Sequence, residues 1–203
     1  RSCSSAASDV YKRQILFLLV VGSINNTYSQ NFSKRKVNDL KSHAAKLVEE
    51  DKKMTQVMID KVFSFGELGF QEFETSKYLS NILEENGFEL QYNISDIPTS
   101  WLATWSNGSG GPVIALGSDF DGVPSTSQYP GVAYEKPVVE GAPGHGEGHN
   151  SGLPIVITAA LSIKKVRIEN NINGTLLLWP GVAEEILGSK AWYVRDGYFD
   201  NVD

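Results

Sequence analysis

Residues 140–152 constrain this chain more than any other stretch. Their thirteen positions hold five glycines, at 141, 144, 146, 148 and 152, and two of the chain's three histidines. His145, Glu147 and His149 alternate with Gly146 and Gly148. On an extended backbone, residues two apart point to one face, so the three side chains converge. The glycines let the main chain bend and come close to whatever those side chains hold. Imidazole and carboxylate together suit a divalent metal ion. The apolar run at 153–163 reads as a buried helix, with Pro154 in its first turn, where a missing N–H costs least. Three candidate ligands therefore stand on a loop just ahead of a helix N-terminus. The plain alternative is a glycine-rich turn that happens to contain histidines, and other acidic residues in the chain bear on the choice.

Two further places supply such residues. The apolar strand at 113–116 runs into Asp119 and Asp121, which share a face. Open α/β sheets place their ligands at the carboxyl ends of strands, although an Asp-Gly turn is an ordinary use of the same residues. A second buried strand at 174–179 is followed by the adjacent pair Glu184 and Glu185. Alone, that pair also reads as helix-start charges favoured by the macrodipole.

The rest of the chain alternates helix and strand patterns. From 34 to about 58, Val37, Leu40, Ala44, Leu47 and Val48 recur at helical spacing, with His43 on the solvated side. A second helix starts at Glu74 or Thr75, carries Tyr78, Leu79, Ile82 and Leu83 as its apolar stripe, and ends at Gly87. The three carboxylates Glu67, Glu72 and Glu74 read as helix-start and surface charges. Strands are expected at 88–94, 100–105 and 112–116, a surface loop at 125–139 and a short helix at 188–196. The turn at 107–111 has no Lys-Ser/Thr after it and is not a phosphate loop. This order predicts an α/β fold with a mixed, largely parallel sheet flanked by helices.

Net charge is −6, and no basic run exists beyond 33–36, which argues against a nucleic-acid partner. Cys3 is the only cysteine, so neither an intrachain disulfide nor a Cys-based zinc knuckle can form. Residues 1–14 read as a translated adapter remnant. The apolar run at 15–21 is far shorter than the ~20 residues that span a bilayer. It fits the core of a signal peptide over 15–29, with Thr27 and Ser29 placed for cleavage before Gln30. The expectation is an exported protein, periplasmic or extracellular, without a stable membrane anchor after cleavage.

Four motifs in order, Glu67 to Thr75, Asp119 to Pro124, Gly144 to Asn150 and Gly181 to Glu185, resemble the M20 metallopeptidase and amidohydrolase family. The branch they resemble is the aminobenzoyl-glutamate hydrolase type. The resemblance implies a di-metal amide hydrolase, with zinc the expected ion and manganese, cobalt or nickel as alternatives. It implies a small amide or peptide substrate and a homodimer for the full-length protein. His149 and Glu185 match metal ligands, Glu184 the general base, and Asp119 and Asp121 the Asp-x-Asp segment beside the metals. Glu147 stands where this branch has a metal-bridging Cys, which moves the preference toward harder ions. His145 matches a loop position and is not expected to be a ligand. On the same resemblance, residues 30–203 correspond to the N-terminal part of a longer catalytic domain. A further histidine ligand and a lid domain lie beyond that part, so this stretch alone is expected to be inactive. One rival reading is a binding protein that keeps the fold without metals, motivated by Glu147. Another, a serine hydrolase using Ser151 and His149, lacks the Gly-x-Ser-x-Gly elbow.

Overall fold

A computed structural model of the chain describes residues 31–203. The segments read above as an adapter remnant and a signal peptide lie outside them. The described part forms one unit, Asn31–Asp203.

The long helical pattern at the start is two helices, α1 (Lys34–Glu50) and α2 (Lys52–Phe65), broken at Asp51. Ser33 caps α1 by accepting the Lys36 N–H, and Gly66 ends α2 in the left-handed conformation. The break separates two tasks. α1 packs on the helix at Gly152–Glu169, and α2, which also touches that helix, carries Val62 to the glycine-rich loop. Helix α3 (Phe73–Glu85) follows, with Leu79 and Leu83 fully buried.

Strands β1 (Glu89–Tyr92), β2 (Trp101–Asn107), β3 (Val113–Asp119) and β4 (Gly174–Gly181) form one sheet in the order β1-β2-β4-β3. The sheet is mixed, as expected. Its parallel component is the single pair β3–β4; β1–β2 and β2–β4 are antiparallel. Connection length explains this. A short link returns β1 to β2 antiparallel, whereas parallel neighbours need a crossover, which here includes helix α4 (Gly152–Glu169). β4 lies between β2 and β3, and Leu176, Leu177 and Leu178 are all buried, as a central strand covered on both faces requires. Trp101, Phe120, Leu153, Ile157 and Tyr193 complete the core with Met58 and Val62. Tyr193 belongs to the short helix α5 (Lys190–Arg195). Among the described residues, no helix is long and apolar enough to cross a membrane.

Parallel pairing sets β3 and β4 side by side with Asp119 opposite Gly181. Everything that follows these two strands, Asp121 on one side and Glu184–Glu185 on the other, therefore emerges at the same end of the sheet. α4 starts there too.

Candidate metal centre

The glycine-rich loop is tied to the end of β3 by backbone hydrogen bonds. Val123 and Gly144 exchange both of theirs, at 2.8 and 3.1 Å, and the Ser127 N–H donates to Ala142 O. Past that anchor, Gly148 takes φ 109°, a conformation that favours glycine, and turns the chain into the single 3-10 turn His149–Ser151 ahead of α4. His149 thus stands at the amino-terminal end of an eighteen-residue helix, whose dipole offsets part of the negative charge gathered there.

That charge comes from three segments. His149 Nε2 lies 2.8 Å from Glu147 Oε2 and 3.9 Å from Glu184 Oε2; Nδ1 lies 3.3 Å from Asp121 Oδ1 and 3.8 Å from Glu185 Oε1. Nδ1 is also 3.2 Å from the Asp121 carbonyl oxygen. If Nδ1 carries its proton toward that carbonyl, Nε2 is left with a free lone pair on the side of Glu147 and Glu184. Donor atoms converge in two groups that share the ring: Asp119, His149 and Glu184, and Glu147, His149 and Glu185, with the atoms of each group within 4.8 Å of one another. Asp119, Asp121, Glu147, His149, Glu184 and Glu185 are therefore brought to one place; of the three loop candidates, His145 is not.

The residues differ in how they are held. Asp121 is fully buried; its Oδ2 accepts the Glu185 N–H at 3.0 Å, and its buried Oδ1 has no hydrogen-bond donor. Asp119 faces Lys190, whose ammonium lies 2.8 Å from Oδ1 and 2.9 Å from Oδ2, with hydrogen-bond geometry only at Oδ2. Lys190 Nζ is also 3.8 Å from Glu184 Oε1. Burial pushes the Glu185 carboxyl above its ordinary range; Asp121, Glu184 and Glu147 add to this and His149 opposes it. His145 is apart from the cluster. Its Nε2 donates to the Val62 carbonyl at 3.1 Å, and burial lowers its pKa, so it is held neutral.

A divalent cation fits this donor set. A buried carboxylate oxygen without a donor faces an imidazole nitrogen, and several hard oxygens surround one nitrogen, which no hydrogen-bond assignment satisfies at once.

Two residues of the site do not follow from the sequence patterns above. Lys190 belongs to none of the motifs. Glu72, which reads beside Glu67 and Glu74 as a helix-start charge, separates sharply from both. Glu67 caps α3 by accepting the backbone N–H groups of Glu74 and Thr75 and the Thr75 hydroxyl, whereas Glu72 is fully buried. Burial raises the Glu72 pKa. A signal for it exists: Glu72, Thr75, Ser76, Leu79 and Leu83 lie on one helical stripe, and all are buried.

No protein-family model matches the chain. It is similar to a component of the p-aminobenzoyl-glutamate hydrolase of Escherichia coli, with 33% identity over 156 residues that cover 77% of this chain and 32% of the relative. Hippurate hydrolase of Campylobacter jejuni is 32% identical over 139 residues, covering 68% of this chain and 33% of the relative. The fold matches an aminohydrolase from methicillin-resistant Staphylococcus aureus with a TM-score of 0.67 at 20% identity, over 80% of this chain and 40% of the other. It also matches a Bacillus subtilis dinuclear metal-binding peptidase of the M20 family with a TM-score of 0.58 at 23% identity, over 80% and 42%. By sequence the chain is similar to these amide hydrolases, and it shares the fold of the M20 peptidase. It spans about a third of the length of the curated relatives it matches.

Proposed function

We propose that the protein hydrolyses the amide bond of an N-acylated amino acid or small peptide, aminobenzoyl-glutamate being the model substrate, with the help of divalent metal ions. The observation that carries this is the enclosure of His149 by carboxylates delivered from the ends of β3 and β4 and from the glycine-rich loop. His149, Glu147 and Glu185 would hold an ion, with Asp119 beside it. Five carboxylates, Asp119, Asp121, Glu147, Glu184 and Glu185, stand against the ammonium of Lys190. The excess of negative charge matches two divalent cations. A carboxylate in place of a thiolate suits manganese or cobalt as well as zinc.

When bound, such an ion polarises the amide carbonyl and makes water more acidic. The chain's own groups do the rest. Glu184, partly exposed, accepts the proton from water and returns it to the leaving amine. Asp121, held by the Glu185 N–H, fixes the orientation of His149 through its carbonyl and carboxylate. Lys190 reaches both Asp119 and Glu184 Oε1 and offsets part of their charge, while the other Glu184 oxygen faces His149. Export to the periplasm or beyond without a membrane anchor, and a homodimeric full-length protein, complete the proposal; they rest on the reading of residues 15–29 and on the family resemblance.

Titration of the chelator-treated chain with zinc and with manganese tests the site. Tight uptake by this chain, lost in His149→Ala, is expected, together with turnover of aminobenzoyl-glutamate or an N-acyl amino acid by the full-length metal-loaded protein. A chain that takes up no metal while still binding such ligands would be a non-catalytic binder, the reading that the direct Glu147–His149 contact favours.

A further inference from the structure

We infer that Glu72 is a positioning residue for the Glu184–Glu185 pair, acting through the backbone of Ala183. The inference rests on the proposed site but is tested separately from it.

Ala183 is the hinge on which the two glutamates turn. It adopts φ 54° and ψ 43°, a left-handed conformation that an L-residue with a Cβ rarely takes. The turn behind it closes on its carbonyl, which accepts the N–H groups of Ile186 at 3.3 Å and Gly188 at 2.9 Å. A conformation of this kind persists only when its surroundings over-determine it. Here they do so from three directions. Glu72 Oε1 accepts the Ala183 N–H at 2.9 Å, while its Oε2 accepts the Thr99 hydroxyl at 2.9 Å. Asp121 Oδ2 takes the Glu185 N–H at 3.0 Å. Gly69 lies against the far side: a Cβ there would come within 2.9 Å of Ala183 Cα and Cβ, so only glycine allows this approach.

Two buried carboxylates from distant segments thus each hold one N–H of the turn. Asp121 also borders His149, so its role is mixed. Glu72 hydrogen-bonds to none of the candidate ligands; its partners are Ala183 and Thr99. This fully buried side chain at the start of α3, with one oxygen on the turn and the other anchored by the Thr99 hydroxyl, is placed to hold Glu184 and Glu185 through Ala183.

Glu72→Met keeps the volume and removes both acceptors. Glu72→Gln keeps one oxygen for Ala183 and offers an amide donor to the Thr99 hydroxyl, which can accept. Leu83→Ala, a core change on the same helix, controls for simple destabilisation. Two readouts are taken: amide hydrogen exchange at Ala183 and Glu185, and zinc affinity by competition with a chromophoric chelator. Glu72→Met is expected to speed exchange at both amides and to weaken zinc binding about 10- to 100-fold, the usual range for residues that orient ligands. Glu72→Gln is expected to restore both, and Leu83→Ala to change neither. If Glu72→Met does not fold, Thr99→Val, which frees one end of the carboxylate, is expected to show smaller losses in the same direction. Unchanged exchange and affinity in Glu72→Met, or in Thr99→Val where that replaces it, overturns the inference, as does loss of zinc affinity in Leu83→Ala equal to that in Glu72→Met. A wild-type chain that binds no zinc overturns the proposed site instead, and the exchange data then decide the role of Glu72 alone.

Discussion

His145 and His149 stand four residues apart on one glycine-rich loop, and the structure puts them to opposite uses. His145 is buried, held neutral, and spends its Nε2 on the Val62 carbonyl at the end of α2. His149 meets four carboxylates and is shared by both groups of converging donor atoms. The spacing that makes them look alike in sequence says only that they share a face if the loop is extended. The loop is not extended: Gly148 turns the chain, and His149 opens a 3-10 turn instead of continuing the line. The lesson is that the anchor and the proposed ligand of a site can carry the same side chain, and burial against a carbonyl separates them.

The contrast can be broken or sharpened by experiment. Replacing His149 with Ala is expected to weaken divalent-metal binding by at least ~100-fold, more than loss of an orienting residue would, and to shift the urea midpoint little. Equal metal affinity in the variant would erase the distinction. Glu184→Gln in the full-length metal-loaded protein is expected to lower kcat about 10²- to 10⁴-fold, the range of a lost general base, with metal content by elemental analysis unchanged. His145→Ala should do the reverse of His149→Ala. Losing a buried hydrogen bond and leaving a cavity costs about 2–4 kcal/mol in denaturant unfolding, with only a modest change in metal affinity.

The smallest effect is a pH dependence. Burial holds the folded pKa of His145 below its ordinary 6.5, so between the two values the unfolded chain binds the extra proton. The contribution of His145 to stability is thus full above pH 6.5 and is lost as pH falls below it. Urea melts in chelator at descending pH should show this slope, and His145→Gln should flatten it.

Much of the fold is legible in the sequence because local pattern and tertiary role agree. The stripe of α3 with its Gly87 stop, the buried α4 with Pro154 in its first turn, and the three strands before Asp119 lie within a few residues of where the pattern puts them. The break at Asp51 is hidden, because Val37 to Leu47 and Met54 to Val62 keep helical spacing on both sides and both helices touch α4. The place of β4 between β2 and β3 is not legible either, since pairing order depends on contacts far apart in the chain. In the site, carboxylates next to recognisable strands or loops can be read. Glu72 escapes because its identity suggests surface while its helical position indicates core. Lys190 escapes because a lysine on a short helix carries no signal until Asp119 is seen beside it.

The seven-rung ladder between β3 and β4 has a meaning beyond cohesion. Side chains alternate along a strand, so a slip of one rung would swap the facing of every residue on β3 and carry Asp119 away from its lysine. A chain that mispairs here forfeits its chemistry along with its packing. Metal uptake at the proposed site would then be a built-in report on whether these two strands found each other correctly.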